Sequence, residues 1–284
     1  MNVLVAMDGS KSGEWGLNWM ARLPFVEPPR VMALHVLDPH KPRGPLILQA
    51  DGERYLQKEI QRMETCSANT IKKAIQQLAL LNLNGTAREE RGAVESVILK
   101  HAPKRDGLLV VGSHGRDILD RYMLGSVSTT LIQYAPCPVL VIKGKARPLG
   151  RIALAADGSD ASAKALAFVL SKFQPNRSTD KDGYAPIHVS VIHVMPLVRY
   201  PWLGDFDEQI IEQGVRRLVE LGFTAKPVYR SGKPSEEIIK TASKERADLI
   251  VMGTRGPSAM SRILFGSVST RVVHHANRSV LVVR

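Results

Sequence analysis

Gly112-Ser113-His114-Gly115, then nine residues, then Gly125-Ser126-Val127-Ser128-Thr129 is a stretch that the chain contains twice. The second copy runs Gly253-Thr254-Arg255-Gly256, nine residues, then Gly266-Ser267-Val268-Ser269-Thr270. Each follows a short apolar run, Leu108 to Val111 or Leu249 to Met252, that reads as a buried strand. Each leads into an expected helix, Val127 to Tyr134 or Val268 to His275. Glycines let the backbone take positive φ and approach a ligand without a side chain in the way. Successive amides in such a turn form a concave nest for phosphate oxygens. The second Gly-Ser opens a helix whose first free N–H groups and dipole favour negative charge. One strand–loop–helix turn of this kind has a purely geometric explanation. Two copies with the same spacing and the same Gly-Ser-Val-Ser-Thr exit point to anion capture.

A second element also occurs twice. Val3-Leu4-Val5-Ala6-Met7 runs into Asp8-Gly9-Ser10, and Ile152-Ala153-Leu154-Ala155-Ala156 into Asp157-Gly158-Ser159. With these strand openings, the Gly-x2-Gly-x9-Gly-Ser pattern resembles the ATP-binding motif of the universal stress protein family. The resemblance covers nearly the whole chain, as two tandem copies of that domain. It implies phosphate contacts from Gly112, Gly115, Gly125, Ser126 and Val127, and from the twin set Gly253, Gly256, Gly266, Ser267 and Val268. It implies that Asp8 and Asp157 contact the nucleoside or orient a metal–nucleotide complex. An Asp-Gly-Ser turn would equally use those aspartates for its own geometry. It further implies that adenine is read through the main chain at Val36 and Val194, that the ligand is ATP with Mg²⁺, and that the strand order is 3-2-1-4-5 in each half.

The 284 residues suit two domains of ordinary size. Repetition places them at 1–143 and 150–284, with 144–149 as linker inside the Gly-, Pro- and Lys/Arg-bearing stretch Lys143 to Gly150. Apolar residues make up 44%, enough to build cores. No apolar run approaches the roughly 20 residues that cross a bilayer, so no membrane span is expected. Two cysteines, Cys66 and Cys137, are too few for a disulfide framework, and with no leader pattern visible a cytoplasmic protein is expected. The net charge of +12 suits an anionic ligand. Aromatic residues are only 5% and Lys and Arg are scattered, so dedicated nucleic-acid recognition is not expected.

Strands alternate with helices through both halves, which argues parallel sheets covered on both faces. Taken with the resemblance, the expected fold is α/β: two tandem, doubly wound, five-stranded parallel sheets of the Rossmann-like, adenine nucleotide alpha hydrolase-like type. Ligands of such sheets sit beyond the strands' carboxyl ends where the winding reverses. In order 3-2-1-4-5 that point lies between the strands that end at Asp8 and Gly112, or at Asp157 and Gly253. Within the first half, Trp15 and Trp19 are expected to face the core, and a long helix from Gly52 to Leu81 to bury Ile71, Ile75, Leu78 and Leu81. The polar insertion Gln174 to Pro186 reads as a surface loop.

His35 and His193 hold matching strand positions and read as satisfied core residues rather than ligands. Neither His-Glu-x-x-His nor Cys-x-x-Cys occurs, and no Gly-x-Ser-x-Gly elbow supports hydrolase chemistry. Asp117 and Asp120 bring negative charge into the first glycine loop only, so occupancy of the two sites is expected to differ. With phosphate donors but no identifiable base, the expected role is a nucleotide-dependent regulatory binding protein of the stress response, with at most slow hydrolysis. The competing readings are an ATP-using hydrolase or transferase of the same superfamily, for which Lys41 to Ala50 is the candidate lid, and a nucleotide-free interaction module. The terminal strands Pro138–Ile142 and Ser279–Val283 are apolar edges in the resembling fold, and such edges invite pairing. A linker of eight residues reaches about 26 Å when extended. The two strands are therefore expected to pair within one chain as an intrachain pseudo-dimer, leaving other surfaces for a homodimer.

Overall fold

The structure is a computed structural model describing residues 1–38, 52–104, 106–113, 124–178, 184–195, 204–254 and 266–284. The first half runs β1 (Asn2–Met7), α1 (Lys11–Arg22), β2 (Arg30–Leu37), α2 (Gly52–Leu80), β3 (Gly85–Arg91), α3 (Val94–His101), β4 (Leu108–Gly112), α4 (Ser126–Tyr134) and β5 (Val139–Ile142). The second runs β6 (Arg151–Ala155), α5 (Asp160–Lys172), β7 (Asn176–Ser178), β8 (Tyr184–Pro186), β9 (His188–Met195), α6 (Gly204–Glu220), β10 (Thr224–Ser231), α7 (Pro234–Lys244), β11 (Leu249–Gly253), α8 (Ser267–His275) and β12 (Ser279–Val283).

The two five-stranded sheets meet through the expected pairing of their terminal strands and form one sheet of ten, ordered β10-β9-β6-β11-β12-β5-β4-β1-β2-β3. Within each half the order is 3-2-1-4-5 and every pairing is parallel. The join is antiparallel, with Val280, Leu281 and Val282 opposite Val141, Leu140 and Val139. Composition explains which strands lie inside. All four residues of β5 and all five of β12 are buried, whereas β3 and β10 form the rims. The rims are blunted by charge: Arg88, Glu89, Glu90 and Arg91 on β3, and Lys226, Pro227 and Arg230 on β10. Charged and proline-bearing rims resist further strand addition.

One face of the sheet packs on α1, α2, α5 and α6, the other on α3, α4, α7 and α8. Across the join, the ends of α1 and α5 meet through a Phe25–Phe173 bridge, with ring centroids 5.7 Å apart. Each half also caps a helix of the other. Lys143, just past β5, donates from Nζ to the His274 carbonyl at the end of α8, 3.0 Å away. Arg284, just past β12, donates from Nη2 to the Ile132 and Gln133 carbonyls at the end of α4. Cations at helix C-termini satisfy free carbonyls and oppose the dipole. The linker is pinned as well. Leu149 is fully buried, and the Gly144 carbonyl accepts a bond of 2.9 Å from Trp19 Nε1.

Three local expectations change. The apolar reading of α2 overstates Ile75, which is 54% exposed; the buried stripe runs Ser67, Thr70, Ala74 and Leu78. Two small polar residues lie inside because each has a partner: Ser67 Oγ donates to Glu89 Oε2 on β3, and Thr70 Oγ1 to the Cys66 carbonyl. Residues 174–186 include the hairpin strands β7 and β8 rather than only loop. Trp19 is core, and Trp15 packs half-buried against it.

Burial around Lys143 lowers its pKa from 10.5 to about 8. The fold therefore binds fewer protons than the unfolded chain between about pH 8 and 10.5, so this lysine makes stability rise with pH there. Its full penalty is present below pH 8. Cys137, raised by burial to about 11, acts in the opposite direction above pH 9. The lysine is isolated by subtraction: the stability of wild type minus that of Lys143→Met, from denaturant melts, should climb from pH 8 to 10.5. A flat difference would refute the assignment.

Candidate functional site

The winding reverses between β1 and β4 in the first half and between β6 and β11 in the second. Each reversal brings the described site residues of its half to the carboxyl ends of that half's strands, and because the join is antiparallel the two sites open at opposite ends of the shared sheet. At the end of β1, Ser10 N donates to Asp8 Oδ1 at 2.8 Å, and Ser10 Oγ caps α1 by accepting from Gly13 N. Gly9 takes φ 76°, the left-handed conformation this turn needs. After β6 the design repeats. Ser159 donates to Asp157 Oδ1 from N at 3.1 Å and from Oγ at 2.5 Å, and it caps α5 through Ser162 N. One carboxylate oxygen of Asp8 and of Asp157 thus builds a turn. That is the local role the sequence left open beside a ligand role.

His35 and His193 are buried on β2 and β9, each with Nδ1 at the carbonyl just before the aspartate: Met7 O at 2.7 Å and Ala156 O at 3.0 Å. The Nδ1–H tautomer donates there, extending the parallel strand register by one side-chain bond. Both histidines are therefore satisfied residues that set the strand ends. Val36 and Val194 follow them, packed against the α3/α4 and α7/α8 face.

Gly112 and Gly253 close β4 and β11. The next residues stay in line, Ser113 N bonding to Ile142 O at 2.9 Å and Thr254 N to Val283 O at 3.0 Å. Gly125 N returns to Ser113 O and Gly266 N to Thr254 O, both at 2.9 Å, so each glycine loop closes on a hydrogen-bonded neck. Gly115 and Gly256, with Asp117, Asp120 and the segment Lys41–Ala50, lie outside the described residues.

The helices that leave these necks begin at Gly125 and Gly266, neither of which supplies a side-chain cap. Neither α4 nor α8 has an acidic residue in its first turn. Ser126 and Ser267 are exposed there, with Val127 and Val268 behind them, half-buried. Among the described residues no side chain caps these first-turn amides, which a helix start leaves open to a ligand or water. Ser128 Oγ donates to Gly112 O at 2.6 Å, and Ser269 Oγ to Thr254 O at 2.8 Å, so these hydroxyls fasten the helix to the strand end.

Gly253 has a second reason to be glycine. A Cβ there would come within 2.5 Å of the Ala161 backbone carbon and oxygen in the first turn of α5. Motif spacing carries no sign of this contact. Nor does it signal the helix caps from Lys143 and Arg284, although both residues directly follow matching strands. Among the described residues, no group of three or more His, Cys, Asp or Glu is placed to hold a metal ion. No helix among them is long and apolar enough to cross a membrane.

Comparison with known proteins agrees with this fold. Residues 1–143 and 148–284 each match the model of the universal stress protein family. A universal stress protein of Mycolicibacterium smegmatis is 27% identical over 300 residues, spanning 99% of this chain and 96% of that protein. One from Methanocaldococcus jannaschii is 35% identical over 144 residues, spanning 47% of this chain and 81% of that protein. Among solved structures, a universal stress protein of Archaeoglobus fulgidus superposes with TM-score 0.69 at 21% identity, covering 100% of this chain and 98% of that one. The chain belongs to the universal stress protein family, with two copies of the family's domain in tandem.

Proposed function

We propose that the protein is an ATP-binding regulator of the stress response, with one nucleotide site in each half. The observation that carries this reading is the pair of uncapped helix N-termini, at Gly125–Ser126 and Gly266–Ser267, opening beside the winding reversal without an acidic residue in the first turn. Such a terminus favours the triphosphate through its amides and dipole. Gly112, Gly115, Gly125, Ser126 and Val127, with Gly253, Gly256, Gly266, Ser267 and Val268, line the phosphate path. Asp8 and Asp157 meet the ribose side, and the main chain of Val36 and Val194 meets the adenine. Mg²⁺ arrives with the phosphates.

The domains are taken as 1–143 and 150–284, joined by 144–149. The β5–β12 seam lets the chain act as its own pseudo-dimer, and homodimers form through other surfaces. Two free cysteines suit a cytoplasmic setting.

Bound ATP acts as a ligand that shifts conformation or partner affinity. Nucleotide extracted from the purified protein and identified by mass should be ATP or its diphosphate, and added Mg-ATP should bind by calorimetry. Failure of both would remove the nucleotide reading. Phosphate release under saturating Mg-ATP should stay far below the enzyme median of about 10 per second. Fast turnover abolished by Asp8→Ala and Asp157→Ala would make the protein an ATPase instead.

A further inference from the structure

We propose that the second half carries an additional small-molecule site, for a compact apolar carboxylate, on the face of the sheet opposite α8. A cavity of about 180 Å³ lies between α5, α6 and the sheet. Its lining includes the apolar Leu154, Leu166, Val191 and Ile211 and the polar Ser159, Gln213 and Arg217. Leu154, Val191, Ile211 and Leu166 belong to the core shared with α5 and α6, whereas α8 packs on the other face. The site is thus distinct from the proposed phosphate path, from which only the β6–α5 turn separates it.

The two halves differ at one wall position. The residue before the turn aspartate is Met7 in the first half and Ala156 in the second. Met7 is buried, and its Sδ would lie 3.5 Å from a Cβ placed on Gly13, so its side chain runs between the end of β1 and the start of α1. Ala156 and Ser162 stand at the corresponding places in the second half, and both line the cavity. The second half therefore lacks the side chain that packs this space in the first. Gly214 on α6 also lines it; a Cβ there would come 3.1 Å from Leu166 Cδ2, so glycine permits the close approach of the helices.

Size and polarity select the occupant. An apolar cavity of about 150 Å³ takes up a benzene-sized molecule. Arg217 lines the cavity and is exposed, and among the described residues no ion pair involves it. A guanidinium beside an apolar hole matches a carboxylate on a ring or a short branched chain, with Gln213 able to donate beside it. Glu208, Glu212 and Glu220 lie on the same helix and disfavour a dianion.

Benzoate is the probe, with benzyl alcohol as its uncharged counterpart, each titrated by calorimetry and by ligand-observed NMR into the full chain. Benzoate should bind in the submillimolar range and more tightly than the alcohol. Ala156→Met restores the residue that the first half already accommodates, so it should fold, and it should weaken benzoate at least tenfold. Arg217→Gln should weaken benzoate about tenfold while leaving benzyl alcohol unchanged. The site does not exist if benzoate fails to bind at millimolar concentration or binds Ala156→Met as well as wild type. Equal benzoate affinity in Arg217→Gln would overturn the carboxylate assignment.

Discussion

Leu140→Glu should leave the protein without a cooperative native state. Leu140 lies opposite Leu281 in the antiparallel seam, each 1% exposed, at the middle of the ten-stranded sheet. A carboxylate there has strands on both sides and helices above and below, and its register partners, Leu281 and Val110, are apolar. Burying it unpaired costs several kcal/mol, or forces it to take up a proton. The lost leucine adds about 2–5 kcal/mol, the usual cost of truncating a buried aliphatic side chain. Whole domains have only about 5–15 kcal/mol of stability, so the sum reaches the limit. Leu281→Glu should do the same from the other half, because the two side chains share one core. Leu140→Ala is the graded control and should lower the denaturation midpoint while keeping one transition. Circular dichroism melts decide the matter. A wild-type midpoint for Leu140→Glu, or two transitions of which the second half's is untouched, would show that the seam does not couple the halves.

Most of this architecture is legible from periodicity and repetition. Runs such as Leu108–Val111 and Val280–Val283 lack polar alternation because both faces of their strands are covered, which is the signature of an interior parallel strand. The seam was legible once the resemblance put β5 and β12 at sheet edges, because they carry no charge to blunt an edge, whereas β3 does. Where legibility fails, the deciding partner is distant in sequence. Ile75 was expected inside on apolar character alone, yet Ser67 and Thr70 take the buried stripe because Glu89 and the Cys66 carbonyl satisfy them. The caps from Lys143 and Arg284 join residues 131 and more positions apart, which no local pattern encodes. At the candidate site, Asp-Gly-Ser and Gly-Ser were legible as turn and helix start. Asp8 and Asp157 each use one oxygen to bond Ser10 or Ser159 in the turn, and a ligand role would write the same letters.

Gly253→Val and Gly256→Val should fail in different ways, although both alter the same motif. At Gly253 the added side chain meets backbone rather than a movable group: Ala161 C and O at 2.5 Å and Ala161 Cβ at 2.8 Å. Relief requires the start of α5 to move off β11, and α5 also packs on β12 beside the seam. Overpacking of a tight core costs about 1–3 kcal/mol even where side chains can yield, so a backbone clash should exceed that range. The expected result is a large fall in the melting midpoint, with ATP binding lost only as a consequence. Gly256 enters the proposal as a phosphate-loop position where main chain must approach the ligand. A β-branched residue there restricts the turn and fills the approach. Gly256→Val should therefore retain a cooperative melt near the wild-type midpoint while calorimetry finds one ATP site fewer. Gly115→Val should remove the other site, and the double variant both. If Gly256→Val and Gly115→Val each bind ATP with wild-type stoichiometry and affinity, the glycine loops do not hold the phosphates. If Gly253→Val melts like wild type, the contact with Ala161 does not constrain that glycine, and its place in the motif must be explained by the ligand alone.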